Sequence, residues 1–419
     1  MTADESRTEA GFKERTRVDA ARAALAERVA PVERTERVSL PAADGRALAE
    51  PIVADRPVPH YRRAAMDGWA VRAADTFGAS GRSPAILRPA ETVGPDRAVR
   101  VHTGSELPDG ADAVVVVEDV DRVGDELEVF DAVGGGENVA PVGEDVEDGQ
   151  PLYEPGHRLR PSDLGLLRAV GVDEVAVAAR PTVAVCPTGE ELVADNPGPG
   201  EVVETNGLTV SRLVERWGGT ATYGDVVTDD RAALREAIRD AVADHDVVVT
   251  TGGSSVGERD LVPDVVADLG EVFVHGVALK PGHPAALGAV DDTPVLLLPG
   301  YPVACIVNAV QFCRPAVKRA GHLPVDPLPT REATLARKIP SEPGVRTFAR
   351  VRVERDADGG DAADGEGDDA TPTAVPVRAG GSGVLSSVAL SDGWVVVPES
   401  AEGLAAGETV AVEDWEQVP

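Results

Sequence analysis

A chain of 419 residues is too long for one core and predicts roughly two to four domains. Seventy-two acidic against 40 basic residues leave a formal charge of −32, which excludes nucleic acid and an anionic membrane as general partners, since both need a basic footprint. The acid is spread along the whole chain, so it reads as adaptation to a cytosol of very high salt rather than as an acidic interaction tail.

Cys186, Cys305 and Cys313 are widely spaced in apolar runs and read as small buried hydrophobes, not as a disulfide framework or a metal knuckle. The start, Met1 to Glu5, lacks a basic segment followed by an apolar one, and no apolar run reaches membrane-spanning length. A soluble, cytoplasmic protein is expected.

In chain order, residues 1–12 are polar and read as disordered. Val18, Ala21, Leu25 and Val29 then recur at helical spacing, predicting a helix over Arg17 to Arg28. Residues 51–149 hold short Val-rich runs, Ala113 to Val117 and Leu127 to Phe130 among them, broken by Gly, Pro and Asp; they predict a β-rich insert. A second helix follows Pro161, from Ser162 to Ala169. The segments 13–50 and 150–180 flanking the insert are expected to form one elongated N-terminal part.

Residues 181–322 alternate strand-like and helix-like segments. Val183–Val185 predicts a strand. A helix after Asn206 is expected to bury Leu208, Leu213, Val214 and Trp217 and to stop at Gly218-Gly219. A strand from Ala221 to Val227 follows, then a helix burying Leu234, Ala237, Ile238, Ala241 and Val242. Next comes the strand Val247–Thr251, and a helix from Pro302 to about Arg319 closes the unit. Such alternation predicts a doubly wound α/β domain whose ligands bind beyond the carboxyl ends of the strands. Residues 326–419 return to short β runs and predict a C-terminal β-barrel, with a solvated acidic hairpin tip over Asp356 to Asp369.

Three Gly/Pro-rich turns follow apolar runs of the α/β domain: Gly252 to Asp260, Lys280-Pro281-Gly282-His283-Pro284, and Pro299-Gly300-Tyr301-Pro302. Glycine turns after buried strands expose backbone N–H groups that suit phosphates and other oxyanions. Only four of the 40 basic residues are lysines, and Lys280 lies inside one of these turns, where an ammonium meets an anion. Carboxylates accompany the turns. Glu191 stands in Thr188-Gly189-Glu190-Glu191, Asp229-Asp230 follows the next strand, and Asp260 closes the glycine loop. They suit a hard divalent cation bridging phosphate oxygens, although Asp229 or Asp230 equally suits a helix N-cap before Arg231.

The ordered set of motifs resembles molybdopterin molybdenumtransferases, the MoeA and gephyrin E-domain family. It comprises Thr188-Gly189-Glu190-Glu191-Leu192, the Gly252–Asp260 loop, Lys280-Pro281-Gly282 and Leu298-Pro299-Gly300-Tyr301-Pro302-Val303. The insert adds Ala64 to Val71 around Met66-Asp67-Gly68, Thr103-Gly104 with Pro108 to Val115, and Gly143-Glu144-Asp145. Near the end stand Gly380-Gly381-Ser382-Gly383 and Leu385-Ser386-Ser387, so the resemblance runs from about residue 17 to 415.

The resemblance implies an elongated segment, a β insert (51–149), an α/β molybdopterin-binding domain (181–322) and a C-terminal barrel (326–419). It implies a homodimer, a reaction of molybdate with adenylylated molybdopterin that releases AMP, and help from a divalent cation, usually Mg2+. Contact with the preceding adenylyltransferase would follow. Carried over residue by residue, Asp67, Thr103, Glu191, Asp260 and Lys280 would be catalytic, and Glu191, Asp229 and Asp260 would hold metal. Gly252, Gly253, Ser254, Ser255, Gly257, Pro281, Gly282, His283, Pro299, Gly300, Arg346, Arg350 and Ser382 would contact substrate. The chain departs from the family pattern at His283 (usually lysine), Tyr301 (usually asparagine) and Ala304 (usually serine). The alternatives are a tungstate-inserting paralogue, the adenylyltransferase of the preceding step, and a gephyrin-like scaffold without catalysis.

Overall fold

The computed structural model describes residues 15–252, 261–354, 371–377 and 381–417. The polar lead at 1–12 and the acidic tip at 356–369 lie outside the described residues. The chain divides into two compact units, residues 37–177 and residues 1–36 with 178–419.

The 37–177 unit is the β-rich part. Six strands, in the order Ala113–Val116, Gly68–Val71, Arg97–Val101, Ala85–Pro89, Glu126–Val129 and Val120–Val123, make one sheet. Its strands alternate inward residues, and Val71, Leu87, Val115, Leu127 and Val129 form the core. A helix over Pro161–Ala169 packs Leu167 against Leu40, Ala43 and Leu48 from the beginning of the unit. Asp163 caps that helix by accepting from Arg160 N (2.9 Å), and it also takes hydrogen bonds from Tyr153 (3.1 Å) and His157 (2.8 Å).

The other unit begins with α1 (Val18–Ala26), whose Val18, Ala21 and Leu25 are buried on the α/β core, as their spacing predicts. The α/β order is β1 (Thr182–Pro187), α2 (Asn206–Arg216), β2 (Thr220–Tyr223), α3 (Arg231–Asp244), β3 (Val247–Thr251), α4 (Leu261–Leu269) and β4 (Glu271–His275). It continues with β5 (Leu279–Lys280), β6 (Ala286–Val290), β7 (Thr293–Leu298), α5 (Pro302–Asn308) and α6 (Arg314–Ala320). The central sheet runs β2-β1-β3-β7-β6-β4, parallel except where antiparallel β6 lies between β7 and β4. Both faces are covered. Val247 and Val249 pack with α2, α5 and α6, while Val248 packs with α3 and α4.

Several expectations need correction. Leu208 is 52% exposed; Val210, Leu213, Val214 and Trp217 form the buried i, i+3, i+4, i+7 stripe, and Leu208 lies off it. Strand β2 stops at Tyr223, before Gly224, and Val227 keeps only a bridge to Thr188. The closing helix is interrupted by a π-type turn over Ala309–Cys313. Pro315 has no N–H to give the Gln311 carbonyl, and Arg22 Nε donates to that oxygen instead, at 3.2 Å.

The barrel is closed by five strands: β8 (Thr330–Leu335), β9 (Arg346–Glu354), β10 (Thr373–Pro376), β11 (Gly393–Val397) and β12 (Thr409–Glu413). They pair as β9-β10-β8-β12-β11 and back to β9. Phe348, Trp394 and Trp415 of the barrel share the main core with the α/β helices, so barrel and α/β domain form one packed body.

Candidate active site

Two of the three turns lie at the carboxyl ends of adjacent parallel strands. Gly252 N donates to Leu298 O (3.0 Å), and Thr188 N donates to Thr251 O (3.1 Å), which brings the ends of β1, β3 and β7 together. Gly252 has φ +115°, and a Cβ there would stand 2.1 Å from Thr188 O, so no other residue fits. The hydroxyls of Thr188, Thr250 and Thr251 are buried here without a hydrogen-bond partner among the described residues. Orphaned buried hydroxyls are costly, and a polar ligand or the adjoining loop would satisfy them. Gly253, Ser254, Ser255, Gly257 and Asp260 lie outside the described residues.

The Lys280 turn, unlike the other two, does not follow a strand of the central sheet. Strand β5 leaves the central sheet and pairs in parallel with β9 of the barrel, Leu279 opposite Arg346 and Lys280 opposite Thr347. The turn is fastened to α5, where Asn308 Nδ2 donates to Gly282 O (3.1 Å) and Ala304 O (2.8 Å). Gly282, at φ +112°, leaves no room for a Cβ, which would stand 2.1 Å from Asn308 Nδ2. Helix α5 starts directly after Pro299-Gly300-Tyr301, so one short helix carries the Gly300 turn at its beginning and fastens the Lys280 turn along its length.

The Lys280 turn faces a cavity of about 600 Å³ shared with the barrel, where Lys280, His283, Lys338, Thr347, Arg350 and Ser382 supply the polar side chains of the lining. Arg350, on β9, is 8% exposed and has no partner for Nε among the described residues. Burial alone pushes its pKa down, with no carboxylate opposing. Lys280 Nζ lies 3.2 Å from Glu342 Oε1, both groups being exposed. Ser382 O accepts from Val303 N at 3.1 Å, which holds its loop on α5.

Arg346 sits on the same strand and does not line the cavity. Its guanidinium forks onto Asp19 of α1 (2.9 and 2.7 Å) and reaches Glu399 at 3.0 Å. The Asp19 hydrogen bond raises the guanidinium pKa, and the Arg346 hydrogen bond lowers that of Asp19.

The carboxylates are dispersed. Glu191 is exposed and folds back over Gly189. Asp230 is the N-cap of α3, accepting from Ala232 N (3.0 Å) and Ala233 N (2.9 Å), and Asp229 stands beside it half-buried. No three His, Cys, Asp or Glu side chains among the described residues are grouped to hold a metal ion. In the 37–177 unit, Asp67 accepts from Thr103 N (2.7 Å) and Thr103 Oγ1 (2.9 Å); the backbone bond first, then the hydroxyl, lowers its pKa.

Sequence reasoning missed three participants. Lys338 could have been found by the lysine scarcity that singled out Lys280. Glu342 and Asn206, whose Nδ2 donates to Gly300 O at 2.7 Å, carry no sequence signal of their own.

Comparison with known proteins agrees along the chain. The description "MoeA N-terminal region (domain I and II)" matches residues 16–171, "Probable molybdopterin binding domain" matches 184–319, and "MoeA C-terminal region (domain IV)" matches 332–415. A Methanocaldococcus jannaschii protein provisionally named for molybdopterin biosynthesis is 35% identical over 91% of this chain and 92% of its own. The chain belongs to the MoeA family. A Bacillus subtilis member named molybdopterin molybdenumtransferase is 30% identical over 90% of this chain and 89% of its own. The crystal structure of a Pyrococcus horikoshii MoeA protein of molybdopterin biosynthesis superposes with TM-score 0.77 at 33% identity, covering 97% of this chain and all of that one. The MoeA-type α/β domain and C-terminal barrel are therefore the setting of both turns and cavity. No helix among the described residues is long and apolar enough to cross a membrane.

Proposed function

We propose that the chain inserts molybdate into adenylylated molybdopterin with release of AMP, and that the oxyanion is captured in the cavity lined by Lys280, His283, Lys338 and Arg350. As a MoeA-family member, the chain is an enzyme of molybdenum cofactor biosynthesis with molybdopterin molybdenumtransferase activity. The observation carrying the site is Arg350, a buried guanidinium that no carboxylate meets among the described residues, inside a cavity shared with two lysines. An unpaired buried cation is costly, and an anionic ligand removes that cost. The Gly252–Gly300 cradle, with threonine hydroxyls that have no partner among the described residues, suits the phosphates and pterin of the second substrate.

Divalent cation assistance is part of this reading, with Glu191, Asp229 and Asp260 as its donors. The two described members of that set do not make a cage by themselves, so no step is routed through a metal. Asp67 and Thr103 are proposed to complete the site of a partner subunit in a homodimer, which also offers a face to the preceding adenylyltransferase. The surplus of carboxylates supports a high-salt cytoplasmic setting.

The test is AMP release by the purified protein at high KCl, with and without molybdate. Molybdate-dependent release that is lost in Arg350→Gln supports the reading. Release that survives Arg350→Gln moves the oxyanion elsewhere, and binding without turnover favours a scaffold.

A further inference from the structure

Among the described basic groups lining the cavity is one histidine, His283, the side-chain type whose ordinary pKa lies closest to neutrality. We propose that His283 makes oxyanion capture proton-linked, the imidazole taking up a proton as a tetrahedral dianion binds beside Lys280, Lys338 and Arg350. The proposal rests on the cavity being the oxyanion site.

Among the described residues, charges near His283 and its cavity come from four elements. Arg15 precedes α1, Lys280 shares its turn, Lys338 and Glu342 come from the barrel loops, and Arg350 comes from β9. Burial first, and then the Arg15 charge, lower the His283 pKa, while Glu342 pulls it the other way. Glu342 is itself engaged with Lys280. In the empty cavity the imidazole therefore stays neutral at neutral pH, which spares a cation-rich pocket a further charge. An arriving dianion reverses the balance, because an opposite charge within a few ångströms favours the protonated ring.

The sign of the linkage follows. The anion-bound state holds its proton more tightly than the empty one. Affinity therefore rises as pH falls through the imidazole pKa of the complex and levels off below that of the empty protein. Between those two values, binding takes up close to one proton. Lysine in the same place would give a pH-independent site, and glutamine a weaker one.

The experiment is calorimetric titration of the full chain with molybdate at constant KCl, from about pH 6 to 9, in two buffers of different ionisation enthalpy. Expected is a loss of affinity approaching about tenfold per pH unit on the alkaline side, with proton uptake towards one per anion. His283→Gln should lower the affinity at the acid end to the alkaline level of the parent and flatten the profile. His283→Lys should flatten it at the tighter level, and Glu342→Gln should keep the slope. A parent profile without slope, or a slope surviving in His283→Gln, overturns the proposal while leaving the cavity as the anion site. No binding at any pH overturns the cavity reading and the proposal together.

Discussion

Arg346 and Arg350 stand four residues apart on one barrel strand and are both largely buried, yet they occupy opposite electrostatic situations. Arg346 is gripped by Asp19 and Glu399 and ties α1 to the barrel. Arg350 meets no carboxylate among the described residues and opens onto a cavity shared with Lys280 and Lys338. A satisfied buried cation works as a clamp, whereas an unsatisfied one is a binding site awaiting an anion.

The largest effect should come from the unsatisfied member. Arg350→Gln is expected to weaken molybdate binding by about a hundredfold or more, as removal of a desolvated charge contact does, without lowering Tm. Thermal denaturation beside calorimetry checks both halves. A large fall in Tm would mean that Arg350 is a clamp after all, and the contrast would collapse.

Next in size is recovery in mixed dimers. In the proposed homodimer, Asp67→Ala paired with itself and Arg350→Gln paired with itself should each be nearly inactive. Reassociated mixtures should regain about a quarter of wild-type AMP release, because half the dimers are mixed and each holds one intact site. Heterodimers that form and stay inactive would place Asp67 and Arg350 in the same subunit's site, or Asp67 outside the site.

Arg346→Met should leave anion affinity alone and cost about 1–3 kcal/mol of stability, carried mainly by the stranded, partly buried Glu399 rather than by the exposed Asp19 arm. Denaturant melts measure it. The Asp19 pKa is depressed in the fold, so its contribution is present above the ordinary carboxylate range and lost as pH falls below it. In Arg346→Met that acid-side dependence should shrink, and an unchanged acid limb would remove Asp19 from the clamp.

The smallest and most diffuse effect concerns salt. Raising KCl into the molar range shortens the screening length to about 3 Å and should raise Tm by relieving repulsion among exposed carboxylates. Molybdate affinity should fall less steeply than for an exposed site, since buried Arg350 is poorly screened. A Tm that declines steadily with KCl would contradict the high-salt reading.

The sequence by itself determined what local chemistry controls. A continuous apolar run placed the strand Val247–Thr251, and apolar spacing near 3.6 placed the helices after Asn206 and Asp230. Proline and glycine marked their ends, and the scarcity of lysine drew attention to Lys280. The same patterns could not decide that Leu208 faces outward, because that depends on which neighbours cover the stripe beginning at Val210. Nor could they separate Arg346 from Arg350: the two share a strand and a residue type, and their difference lies in Asp19 and Glu399, 327 and 53 positions away in sequence from Arg346. Only the tertiary structure sent Leu279–Lys280 to the barrel, since strand pairing between distant segments is settled by packing and not by the segment's own propensity. Charge and period are written locally, whereas the partner that satisfies a charge, or leaves it waiting for a ligand, is chosen by the fold.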